Sequence, residues 1–129
     1  MGQTVLLIQF ALEDGKLLVK ALLEQPDFDL IAAFWKYDDN HDKWFLFIAT
    51  PILDNISTHE AYKRIIETMN AMKSELEWLE SSDIYAKSPN DPLIKALCNE
   101  YPHHSKGKFI RGESWGGYYV EEAYLYYVA

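Results

Sequence analysis

Cysteine is almost absent from this chain. Its one cysteine, Cys98, cannot close an intramolecular disulfide, and no Cys-x-x-Cys pair exists. Neither a disulfide framework nor a cysteine-based metal site is available. A reducing, cytoplasmic setting is the expectation that follows. Basic residues are also scarce: 12 Lys and Arg stand against 20 Asp and Glu, a formal net charge of −8. A surplus of that sign repels phosphate backbones and anionic lipid, so nucleic acid is not an expected partner. Long apolar runs are missing as well. Nothing approaches the roughly 20 apolar residues of a membrane-spanning helix. Val5-Leu6-Leu7-Ile8 lacks the basic flank and cleavage site of a signal peptide and soon meets Glu13-Asp14. The chain is expected to be neither exported nor embedded in a membrane.

What is present suits one domain of ordinary size. Apolar residues make up 49% of the chain and aromatics 15%, which excludes a disordered polymer. Residues 4–25 carry helical spacing, closed by Pro26. Gly15 weakens the middle of that pattern, leaving open two pieces or a strand over residues 5–10. Residues 29–37 and 43–50 are apolar on both parities, and the turn cluster 38–42 joins them as a predicted hairpin. Ser57-Thr58-His59-Glu60 reads as a capping box, with Ser57 and Glu60 each serving the other's amide. Behind it Tyr62, Ile65, Met69, Met72, Leu76 and Leu79 form one helical stripe. A short strand over 82–87 follows, then a short helix capped by Asp91 with Pro92 at its first position. Residues 103–117 read as a long loop with one short strand, 108–111, and residues 118–128 as a strand. This order predicts a single α+β domain: a mainly antiparallel sheet of four to five strands, with two main helices packed on one face.

The signatures of chemistry fail one by one. Asp38, Asn40 and Asp42 open like a calcium loop, but Lys43 stands where glycine is needed and Ala49 where glutamate is needed. His41, His59, His103 and His104 have no zinc spacing. Gly112-Glu113-Ser114-Trp115-Gly116-Gly117 precedes a strand rather than a helix, which suits a hairpin turn and neither a phosphate loop nor a nucleophile elbow. No metal and no cofactor are expected.

Three features remain. Glu121 and Glu122 interrupt an aromatic strand, so alternation forces one of them to the apolar side, where Arg111 or a tyrosine hydroxyl is its natural partner. Either is a candidate general base. Aromatics crowd the last fifteen residues and the first hairpin. Trp35, Tyr37, Trp44, Trp115, Tyr124 and Tyr126 are therefore candidates for a partner-binding surface, since Tyr and Trp suit half-wet contacts. Finally, residues 101–112 hold Lys106, Lys108 and Arg111 without an acid, a segment of +3. Lys108 and Arg111 are candidates to grip a small anionic ligand.

Several segments together resemble a family of small uncharacterised bacterial proteins. They are Ala33-Phe34-Trp35-Lys36-Tyr37, Trp44-Phe45-Leu46 with Ala49-Thr50-Pro51, Ala61-Tyr62, Ser82-Asp83-Ile84, Ser88-Pro89-Asn90-Asp91-Pro92-Leu93 and Glu121-Glu122-Ala123-Tyr124-Leu125-Tyr126-Tyr127. The family pattern ends in Glu-Asp-Ala-Tyr-Ile-Tyr-Arg, so Glu122 stands for its aspartate and Tyr127 for its arginine. The resemblance implies the same fold and compartment and no activity. Two functions follow as expectations. The first is a non-enzymatic binding or accessory protein, with a protein partner or a second copy of itself. The alternative is a metal-independent hydrolase or transferase acting on an anionic substrate.

Overall fold

A computed structural model of the chain describes residue 7 and residues 9–129. The elements run α1 (Gln9–Leu23), β1 (Ala32–Asp38), β2 (Lys43–Ala49), α2 (Ile52–Asn55), α3 (Thr58–Ala71), β3 (Ile84–Lys87), α4 (Pro92–Glu100), β4 (Lys108–Trp115) and β5 (Tyr118–Val128). The fold is α+β. One five-stranded sheet has the order β3-β2-β1-β5-β4. Pairings β1–β2, β1–β5 and β4–β5 are antiparallel, while β2–β3 is parallel. The sheet is thus mainly antiparallel but mixed. The parallel pair arises because α2 and α3 intervene between β2 and β3, a connection long enough for a crossover.

Both faces of the sheet are covered. Ala33, Trp35, Tyr37, Trp44, Leu46 and Ile48 point to one side, against Leu18 and Leu22 of α1 and Ile65 and Met69 of α3. Phe34, Phe45, Phe47, Ile110, Trp115 and Leu125 point to the other, against Ile94 and Leu97 of α4. The two main helices do share a face, as expected, but α4 adds a layer on the second face. Strands apolar on both parities require this, because each face must leave water.

Local chemistry explains most element ends. Ser57 Oγ accepts from the Glu60 amide at 3.0 Å, which caps α3. The reciprocal half of the capping box is not made. Glu60 instead takes Arg64 Nε at 2.8 Å, and the Ser57 amide donates to the Ile52 carbonyl at 3.0 Å. α3 also stops at Ala71, so Leu76 and Leu79 lie beyond the helix their spacing predicted. Asp91 caps α4 through the Leu93 amide at 2.9 Å, with Pro92 at the start, as expected.

The first helix begins at Gln9; residues 1–6 and 8, where a strand or a longer helix was open, lie outside the described residues. Gly15 does not divide it. A Cβ there would overlap the Tyr126 hydroxyl and the Trp35 indole, so glycine is what lets α1 lie directly on the sheet. Asp14, beside it, is almost wholly buried. Its carboxylate accepts from three successive amides, Glu77 at 3.0 Å, Trp78 at 2.6 Å and Leu79 at 2.8 Å, and so ties the segment after α3 to α1. Among the described residues no helix is long and apolar enough to cross a membrane.

Candidate functional site

The β4–β5 hairpin grows from a two-residue loop. Gly116 and Gly117 both have positive φ, 53° and 91°, and Trp115 pairs with Tyr118 across them. This is the geometry a tight antiparallel hairpin demands, and glycine adopts it without strain. The strand expected over 108–111 therefore extends to Trp115, and little of the long loop remains. Gly112, at φ 63°, breaks the alternation. Ile110 and Trp115 are an odd number apart yet both face α4, as are Val120 and Ala123 on the opposing strand. A second irregularity lies between β1 and β5. Ala33 pairs with Tyr127 but Phe34 with Leu125, so Tyr126 is the extra residue of a bulge.

These irregularities sort the candidates into core and rim. Trp35 and Trp115 are wholly buried, and Tyr37 and Trp44 nearly so. Burial takes all four out of an exposed contact surface and makes them core. Trp35 donates to the Tyr126 hydroxyl at 2.8 Å, and Tyr126 donates onward to the Leu12 carbonyl at 2.7 Å. Trp115 meets Phe34 edge-on at 5.8 Å and donates to Glu113 at 3.3 Å. Tyr37 packs edge-on against Trp44 at 5.8 Å and donates to Asp42, and that hydrogen bond, with burial and nearby acids including Glu121, pushes its phenol up to about 12. Tyr126 is pushed higher still, chiefly by burial.

The two glutamates separate as alternation requires. Glu122 is buried at 9% exposure, and Arg111, paired with it across the hairpin, brings Nη2 to 3.4 Å. Glu121 is half-buried. The Arg111 side chain remains 79% exposed, so the ion pair is a loose, water-screened one. Arg111 and Glu122 thus come together, while Lys108 turns its ammonium over the Tyr101 ring at 5.3 Å. Three open grooves of about 420, 400 and 450 Å³ are lined by α1, α3 and the segments flanking α3, and they hold neither glutamate.

What the structure leaves on the rim is a different aromatic set. Phe109, Tyr118 and Tyr119 are 54%, 46% and 67% exposed, and all three lie on this hairpin. Phe109 stacks edge-on to the half-buried Tyr124 at 4.9 Å, which meets Tyr126 at 5.2 Å, so a row of rings runs from the core to the open edge. The sequence reading missed Phe109. The available signal was the pair Phe109-Ile110, two apolar neighbours in one strand, of which only one can face the core. Glu113 was missed too; it accepts from both Tyr101 and Trp115 and so turns its charge inward. The outward-facing charge of β4 is therefore basic, with Lys108 and Arg111 exposed on it and exposed Lys106 just before its start.

Compared with protein-family models, with curated proteins and with solved structures, the chain matches none.

Proposed function

We propose that this chain is a non-enzymatic binding or accessory protein that docks a protein partner through the β4–β5 hairpin. The observation that carries this reading is the exposure of Phe109, Tyr118 and Tyr119, each about half exposed or more, along the one strand pair that ends, among the described residues, at an open sheet edge. Several large exposed aromatics on one element mark a contact surface, where each ring supplies area at little entropic cost. The single, half-buried Cys98, its thiol pushed up by burial, suits the reducing cytoplasm in which we place the protein. Membership of the uncharacterised bacterial family belongs to the same proposal and rests on the segments quoted above. The hydrolase or transferase alternative gains less support, because none of the three grooves described above is lined by Glu121 or Glu122.

A photo-crosslinking residue placed at position 119, and a control at exposed Glu67 on α3, test the reading in cells. Adducts from position 119 that are absent from the control are expected. Equal adducts from both positions, or none from either, overturn it.

A further inference from the structure

We infer that β4 accepts an extended acidic peptide as a sixth strand of the sheet, an inference that rests on the docking role just proposed and names its partner. The two edges of the sheet are unlike. β3 is only four residues long, and its Ala86 amide donates to the Tyr62 hydroxyl of α3 at 3.0 Å, so that edge is closed by the fold itself. β4 is twice as long, and among the described residues β5 is its one neighbouring strand. An exposed edge of this kind offers a row of backbone donors and acceptors to another extended chain.

Side chains and charge decide which chain fits. Phe109 and Arg111 share one face by alternation, and Lys108 lies on the other. Lys106, Lys108 and Arg111 make this the basic edge of a chain whose net charge is −8, while Glu113 faces inward. Antiparallel addition would set an acidic side chain against Arg111, an apolar or aromatic one against Phe109, and a second acidic one against Lys108. The recognised pattern is thus acidic, any, aromatic, acidic. A second copy of this chain fits worse. Symmetric pairing of the regular stretch 108–111 places Lys108 opposite Arg111 twice, and like charges directly opposed are destabilising. Gly112, with its positive φ, ends that stretch and prevents a longer register from relieving it. Nucleic acid would meet the basic edge but be repelled by the rest of the surface.

The test is fluorescence anisotropy with a labelled, terminally blocked peptide centred on glutamate–valine–phenylalanine–glutamate. Saturable binding that weakens with salt is expected. Lys106→Glu with Lys108→Glu, two exposed changes outside the Arg111–Glu122 pair, should weaken it by at least about tenfold. A lysine-for-glutamate peptide should then prefer the charge-reversed protein. Backbone N-methylation of the peptide should abolish binding, and amide exchange should slow in residues 108–111 when it binds. Equal affinity for the lysine peptide, indifference to N-methylation, or equal binding of single-stranded DNA each overturns the inference. So does a dimer in sedimentation that Lys108→Glu alone tightens. If the peptide fails while position 119 still gives specific adducts, the acidic-strand inference falls and the docking role stands. If both fail, the docking role falls as well.

Discussion

Trp35 and Tyr126 are 91 residues apart in sequence and share a hydrogen bond of 2.8 Å beneath Gly15. The Tyr126 hydroxyl also donates to the Leu12 carbonyl, so one atom serves β1 and α1 from β5. The bulge at Tyr126 turns this ring toward α1, and its phenol is kept neutral by burial.

Tyr126→Phe should cost about 1–3 kcal/mol, since it orphans the Trp35 N–H and the Leu12 carbonyl. Gly15→Ala should destabilise as well, although alanine in a helix normally gains about 0.5–1 kcal/mol over glycine. The double variant should be less unstable than the two losses summed, because removing the hydroxyl relieves the worst overlap. Denaturant melts of the three variants check this. A stabilising Gly15→Ala would mean that α1 does not lie on Tyr126.

Asp14→Ala should cost on the order of 3 kcal/mol, since it strips a carboxylate from three amides at once. Asp14→Asn should lose less. Hydrogen exchange should show the amides of residues 77–79 exposed in both variants before global unfolding. Unchanged protection there would show that another group holds the segment.

Ile65 is wholly buried, so Ile65→Ala should cost roughly 2–5 kcal/mol through lost burial and a residual cavity. Ser57→Ala removes one cap hydrogen bond and should cost about 0.5–2 kcal/mol. Against a total of about 5–15 kcal/mol, the first can unfold the domain and the second cannot. Equal midpoints in urea for the two variants would contradict the packing of α3 on the sheet.

Alkaline stability should fall in a defined window. Tyr37, Tyr101 and Tyr126 all have phenols raised above the ordinary value of 10.0, Tyr37 to about 12. The folded state therefore holds protons that the unfolded state releases. The stability this brings is complete below pH 10 and is lost as pH climbs from about 10 toward 12. Phenolate absorbance should show Tyr37, Tyr101 and Tyr126 titrating late, together with unfolding. Tyr37→Phe should flatten part of the slope. Nine tyrosines titrating alike near pH 10, in a chain still folded, would refute it.

Short-range chemistry was readable in the sequence: the Ser57 and Asp91 caps, the hairpin around residues 38–42 and the glycine turn at 116–117 all depend on neighbours in the chain. Long-range chemistry was not. Asp14 looks like any surface acid of a helix, and only the fold brings it to Glu77, Trp78 and Leu79. Leu76 and Leu79 keep helical spacing after α3, but the amides of 77–79 bond to Asp14 rather than continue the helix. Gly15 reads as a weakness until Tyr126 stands against it. At the candidate site, alternation identified Arg111 as a partner for a buried glutamate. It did not separate buried Trp35, Trp44 and Trp115 from exposed Phe109 and Tyr119, because tryptophan and tyrosine suit cores and rims alike.

The closure of one edge of the sheet by Tyr62 bears on stoichiometry. A sheet open at both sides can be extended at either end, and each added molecule leaves a new end behind it, which is how ladders become fibres. With β3 closed and β4 open, each copy of this chain can be extended on one side alone. It can therefore end a ladder of strands but cannot sit in the middle of one. By the same logic Tyr62→Phe, which frees the Ala86 amide, would make a molecule with two ends.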